Sequence, residues 1–422
     1  MSPLSIKPFR NLWLGQAISQ MGDAFYYVIF AFMVKKVTHS SAMVGFTSAL
    51  EALPFLLLSA YAGVVADRID RRRVMLCSDL CCAAVLILFA GLLLFSGTPP
   101  VWAMMASAAS LSVLRVFFMP AKGATIPAIV PKDMVLKANS VSAATQNIVP
   151  LLSLAVSAAV LSVLYALSPN GFFLCAVLLN ALSFLGSAVF IAKLPPVIPD
   201  RTDAHEAHPM QDMKNGLAYM RSRHEMITLL GLQVLLNLVL SPFFVVYLAA
   251  NDAWFGGKPQ NLAFFEASFF LGMVISSFLV GKLKPRSPGW CYIIATAGVG
   301  VTIFAMGFTP HELLFVCWNF IAGLFLPFSN ITVSTYLQMT VPDAYRGRVT
   351  SALTMASMGI QPIGMALGGV LIQSIGVVGG FAAMGGATCL GSLIGLLDSR
   401  FRSITLPDEK PGPSEGLAAA GA

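Results

Sequence analysis

The stretch "GVVADRIDRRRVMLCSDL", residues 63–80, decides how the chain is read. Four arginines (Arg68, Arg71, Arg72, Arg73) and three aspartates (Asp67, Asp70, Asp79) crowd into it. Apolar sequence runs away from it on both sides. Upstream, "SAMVGFTSALEALPFLLLSAYAGVV" exceeds the roughly 20 residues a helix needs to cross a bilayer. Of the 422 residues, 57% are hydrophobic and 11% charged, against about 25% charged in soluble domains. Backbone in lipid must satisfy its own hydrogen bonds, so the composition predicts a multi-span, all-helical membrane protein.

Working outward from that stretch, twelve apolar runs bounded by charge or by Gly and Pro predict helices over 11–34, 42–65, 74–95, 101–120, 138–167, 171–192, 226–250, 262–281, 290–308, 312–337, 349–375 and 377–397. With the N-terminus inside, 22 of the Lys and Arg residues fall on the inner side. Only Lys35, Lys36 and Lys258 fall outside, and Arg115 lies within a run. The positive-inside rule then places both termini in the cytoplasm. The formal charge of +7 resides in these short loops, which argues against nucleic-acid binding. The longest interior polar stretch, 194–225, is read as a cytoplasmic linker between a first six-helix bundle, 1–193, and a second, 226–398. Residues 399–422 form a tail. The halves echo each other: Pro120 and "IVPKDMVLKANS" are answered by Pro327 and "TVPDAYRGRVTS". Two parallel six-helix repeats suit a transporter with its site near the midplane.

Other chemistry finds no support. The seven cysteines lie in apolar segments without metal-ligand spacing and read as small buried hydrophobes. There is no G-x-x-x-x-G-K-[ST] loop and no pairing of nucleophile with base, so neither an enzyme nor a cofactor or metal is expected. "MSPLSIKPFRNLWLGQAISQ" carries no signal-peptide cleavage pattern.

"GVVADRIDRRR" resembles the loop between the second and third helices of the major facilitator superfamily, G-x-x-x-D-R-x-x-R-R. "NLWLGQAIS", "SAMVGF", "LPFLL", "RVFFMPA", "IPAIVP", "KANS", "LQMTVP", "RGRV" and "PIGMALGG" follow the order seen in bacterial macrolide-efflux proteins. These belong, with the enterobactin exporter, to a wider group of drug:proton antiporters. The resemblance runs from Phe9 to about Leu397 and implies a monomeric exporter in the bacterial inner membrane. The expected partners are a bulky amphiphilic small molecule, protons and membrane lipids. The family's fifth helix often carries "GP…GG"; here it reads "IVPLLSLAVSA", with Pro150 kept and the glycines gone. "GDAF", "PAK" and "HELL" resemble instead the lysophospholipid transporter of Gram-negative bacteria, which leaves lipid transport as the alternative, with Lys122 its main feature.

The charges divide into two groups. In the first, Gly63 is expected to let the second helix approach a neighbour, and Asp67 ends that helix. The resemblance places Asp67 against the start of the eleventh helix, about Arg348 to Ser351, where helix-end N–H groups favour an anion by ~0.3–1 kcal/mol. Asp67 also stands four residues before Arg71, and Asp79 is expected to neutralise an arginine of the same cluster. Gly63, Asp67, Arg68, Arg71 and Asp79 are therefore read as a cytoplasmic gate, with Arg72 and Arg73 setting topology. The second group lies within the spans: Asp23, Glu51, Arg115 and Glu266. Each costs ~2.5–3.5 kcal/mol if placed centrally in lipid, so each should face the interior and serve proton coupling or the substrate cavity. Asp23 and Glu51 compete for Arg115. Tyr26, Tyr27, Gln146, Asn147, Gln233, Asn237, Asn319, Asn330, Tyr336 and Gln361 are expected to line that cavity. "GIQPIGMALGG", with Gly359, Pro362 and Gly364, reads with Pro150 as a hinge.

Overall fold

The chain starts helical within its first ten residues and, among the residues described, forms no strand. The structure, a computed structural model, describes residues 2–135, 137–142, 144–146, 149, 153, 169–198, 209–283 and 287–405. Its helices are α1 (Lys7–Thr38), α2 (Ser41–Arg68), α3 (Arg71–Ser96), α4 (Val101–Ile129), α5 (Pro169–Ile191), α6 (Pro209–Arg221), α7 (His224–Leu240), α8 (Phe243–Trp254), α9 (Pro259–Leu283), α10 (Pro288–Phe308), α11 (Glu312–Thr340), α12 (Asp343–Leu397) and α13 (Ser399–Arg402). Pro150 and most of the predicted helix 138–167 lie outside the described residues.

Local chemistry sets the boundaries. The α1–α2 turn passes through His39 in the left-handed region (φ 53°), and the Ser40 hydroxyl then caps α2 by accepting the Met43 N–H. α4 runs nine residues past its expected end at Pro120, through Pro127, to Ile129. Neighbouring helices hold a membrane helix together across a proline, where water would fray it. The predicted helix 226–250 is instead broken in two, because Ser241 ends α7 and Pro242 caps α8. α12 merges the last two predicted helices across Gly376, whose φ of 73° supplies the turn. Among the described residues, ten helical segments are long and apolar enough to cross a membrane, and one, Arg348–Leu397, has 50 residues and contains that turn.

Two sets of helices result. α1 packs on α5, α2 on α4, and α3 on both α4 and α5; α9 packs on α11, and α10 and α7 on α12. Lipid tails are as apolar as leucine, so close approach rather than water exclusion joins these pairs. Gly272 meets Gly323 between α9 and α11, and Gly300 meets Gly385 between α10 and α12; a Cβ at any of them would strike the facing backbone.

The core shows how the sets meet. One buried cluster takes residues from both, including Val28–Val34 of α1, Phe244–Ala250 of α8 and Phe265 of α9. Toward the end that carries the arginines, hereafter the basic end, it gives way to two separate clusters. Phe9, Leu12, Met75 and Ile126 belong to the first set; Met226, Leu229, Tyr292 and Leu337 belong to the second. Contacts between sets gather at the opposite end. Gly45 of α2 abuts Gly369 of α12, the Gln373 side chain accepts from Ser40 Oγ (2.7 Å) and from the Ala42 N–H (3.1 Å), and Lys35 lies 3.9 Å from Asp252. The two sets close at the opposite end and part toward the basic end.

Candidate functional site

Asp23 lies near the midpoint of α1 and Arg115 near the midpoint of α4. They form an ion pair at 3.0 Å, with Asp23 17% and Arg115 49% exposed. The Asn180 side-chain amide of α5 donates to the second Asp23 oxygen at 3.4 Å. A guanidinium half-exposed at mid-span requires water beside it, which places the pair on the space between the sets. Of the two carboxylates competing for Arg115, Asp23 is the one within ion-pair distance. Glu51 of α2 lies close enough for Arg115 and Asp23 to act on it, and its backbone carbonyl accepts from the Ser112 hydroxyl. Glu266 of α9 lies near the phenols of Tyr27 and Tyr247. Tyr27 itself spans the sets, its ring 5.0 Å from Phe244.

The other expected lining residues divide. Gln361 donates to Asn237 Oδ1 at 3.0 Å, Asn237 to the Gln233 carbonyl, and Tyr292 to Gln233 Oε1 at 3.2 Å, forming a polar seam between α7, α10 and α12. Tyr26, Asn319 and Tyr336 are buried in helix packing, Asn330 is exposed, and Asn147 lies outside the described residues. Asn319 returns its amide to the Phe315 carbonyl one turn back. Cys77 and Cys317 are exposed rather than buried, since their helices turn those faces outward.

The arginine-rich stretch does something the sequence did not suggest. Asp70 caps α3, accepting the Arg72 N–H at 3.1 Å and the Val197 N–H at 3.0 Å. The Arg71 N–H donates to the Val197 carbonyl, and Arg72 Nη2 to the Ala192 carbonyl at 2.6 Å, just past the end of α5. Arg71 also donates to the carbonyls of Ala66 and Ala124. Most of the cluster therefore clasps α2, α3, α4 and the chain leaving α5. Asp67 is 61% exposed, with Arg71 as its partner at 3.8 Å, and Arg68 is exposed. Two expectations fail here. Gly63 has no neighbour within 4 Å of where a Cβ would stand, because this end of α2 stands clear and Gly45 makes the close approach. Asp79 forms no ion pair among the described residues; it lies two turns into α3 and is buried at 2% exposure, where the arginines at the helix start cannot follow.

Of the residues read as a hinge, Gly359 and Gly364 sit at contacts. Gly359 faces Leu56 of α2, and Gly364 receives Ser241 and the Leu238 carbonyl at the α7–α8 break. Pro362 lies between them within continuous helix. No group of three or more metal-ligating side chains occurs among the described residues.

The match to known proteins is now specific. Residues 1–412 match the family model described as transmembrane secretion effector, of the major facilitator superfamily. The chain belongs to that family. It is a multi-pass membrane transporter of the efflux group and not an enzyme. It is 28% identical to macrolide efflux protein A of Streptococcus pyogenes over 87% of this chain and 90% of that protein. It is 26% identical to the enterobactin exporter EntS of Escherichia coli over 92% and 89%. Among solved structures, the nucleoside transporter NupG superposes with a TM-score of 0.70 at 14% identity, covering 92% of this chain and 98% of that one. At that identity the likeness speaks for the fold alone.

Proposed function

We propose that the chain exports bulky amphiphilic small molecules by proton antiport with alternating access. The family's named relatives handle macrolides and a siderophore, and the seam of amides and aromatic rings beside apolar walls suits such a substrate. In this reading residues 343–397 count as two crossings and 138–167 as one, giving twelve helices in two bundles. The basic end faces the cytoplasm of a bacterial inner membrane, with both termini inside. The protein works as a monomer, and the sets part and close in turn about the Pro150, Gly359, Pro362 and Gly364 positions.

The observation that carries the reading is the Asp23–Arg115 pair at mid-span. A carboxylate held by one guanidinium can take a proton when the pair opens and return it when the pair closes, and Glu51 and Glu266 stand ready to share that load. A proton moving inward gains about 2.3 kcal/mol per 100 mV, enough to drive an outward substrate step. Asp67, Arg68 and Arg71 act at the cytoplasmic gate, which this conformation holds open.

The test is uptake into proteoliposomes under an imposed pH gradient, with a panel of macrolides, catecholate siderophores and lysolipids. The wild type accumulates one of the first two classes, and Asp23→Asn loses the response to the gradient while remaining folded. Gradient-driven accumulation by Asp23→Asn would overturn the reading. One feature favours the lipid alternative: Lys122 is buried, and its Nζ has no hydrogen-bond partner, as a site for an anionic headgroup would require. Lysolipid movement without a gradient is its signature.

A further inference from the structure

We propose that Asp79 is a second proton-carrying carboxyl, loaded from Asp23 along the polar face of α5. The inference rests on the antiport reading for its direction, but not for its geometry. Asp79 is buried, and among the described residues its Oδ2 has no hydrogen-bond partner and no cation pairs with it. An unpaired carboxylate is costly in such a place, whereas a carboxylic acid is tolerated there. Beside it stands the Ser187 hydroxyl, close enough to hydrogen-bond to the carboxyl.

Asn180, Ser183 and Ser187 occupy one face of α5, at spacings of three and four residues, and all three are buried. Asn180 touches Asp23, and Ser183 Oγ donates to Asn180 Oδ1 at 3.0 Å. α1 presses on this face through glycines: a Cβ at Gly22 would strike Ser183, and one at Gly15 would stand 3.2 Å from Ser187 Oγ. On the same stretch of α1, Gln16 Nε2 and Gln20 Oε1 are buried without partners. Polar groups thus run from the mid-span pair to a carboxyl two turns from the basic end of α3.

The charged groups around Asp79 are few. Asp23 acts on it from α1. Arg115 of α4 acts on Cys82, three residues along α3. Lys122 is the other charged group of α4 and is buried, Glu51 is the one charge of α2 away from its basic end, and the described part of α5 carries none.

The transfer balances. An O–H bond breaks on the Asp23 carboxyl, water and the serine hydroxyls pass the proton by accepting and donating in turn, and an O–H bond forms on Asp79 Oδ2. Asp23, now anionic, closes on Arg115, which is the arrangement seen here. Discharge from Asp79 toward the basic end resets the cycle.

Infrared spectra of the purified wild type in H2O and D2O test this without substrate. A carbonyl band of a protonated, buried carboxylic acid is expected at neutral pH, absent from Asp79→Asn and present in Asp23→Asn. Ser187→Ala, a near-isosteric change, shifts the band's frequency. In proteoliposomes with a radiolabelled macrolide and a one-unit pH gradient, Asp79→Asn lowers accumulation about tenfold, the ratio one proton supports. A difference spectrum, wild type minus Asp79→Asn, that shows no lost carboxylic-acid band overturns the proposal, and so does undiminished accumulation. A wild type that ignores the gradient overturns the antiport reading instead, and the infrared result still decides whether Asp79 holds a proton.

Discussion

A single carboxylate can hold very different jobs depending on what its neighbours donate. Asp398 closes the last described turn. Burial works against its charge, but the Thr228 hydroxyl (2.6 Å), the N–H groups of Phe401 and Arg400, and His224 (3.1 Å) outweigh it and hold the carboxyl below its usual range. A carboxyl so depressed contributes stability above the pKa it has in the unfolded chain, and that contribution is lost as the pH falls through the folded value. Asp398→Ala should therefore lower stability by about 0.5–2 kcal/mol at neutral pH, as loss of a helix cap does. The gap to wild type should close in acid, as read by melting in detergent; a gap independent of pH would contradict it. Asp23 and Asp79 show what residue types alone leave open. Asp79 was read as a partner of the gate arginines, while the burial of Asp23 was legible, since charge inside apolar runs has few lipid-facing solutions. Which guanidinium each could reach was not, because that depends on how far apart two helices stand.

At the level of elements, glycine and proline placements account for most of what a count of apolar residues misjudges. Pro120 and Pro127 do not end α4, whereas Pro242 divides α7 from α8, and the side that Gly364 and Gly368 press against explains the second. The seam between α2 and α12 depends on Gly45 and Gly369, whose Cα atoms approach so closely that neither admits a side chain. Gly369→Leu should force that seam apart, favouring the state open at the opposite end and cutting transport by about tenfold or more, the scale of an overpacked contact. The measurement is transport rate with accessibility of single cysteines at the Ser40 position; unchanged accessibility would refute the seam's role. Within 194–225, read from composition as a linker, residues 209–221 form a helix. α6 lays Gly216 against the Arg348 carbonyl and stacks Tyr219 on Tyr345 at 4.8 Å, so it rides on the start of α12.

For the whole molecule, the division of the core is the decisive fact: one buried cluster at the opposite end and two at the basic end. If transport needs the sets to rock, tying the closed end must stop it. Cysteines at Ala42 and Gln373, bridged by a short bifunctional reagent in a background without native cysteines, should block transport, and cleaving the bridge should restore it. Continued transport by the bridged protein would rule out rocking at this seam. Membrane residence, helical class and the charge asymmetry of the loops were determined by the sequence itself, because each depends on a sum over local composition that no packing can reverse. The clasp of Asp70, Arg71 and Arg72 on the chain after α5, the choice of Asp23 for Arg115, and the isolation of Asp79 were decided only by tertiary structure. Each turns on a few ångströms between elements far apart in the chain, and hydrogen bonds and ion pairs are made or lost over that distance.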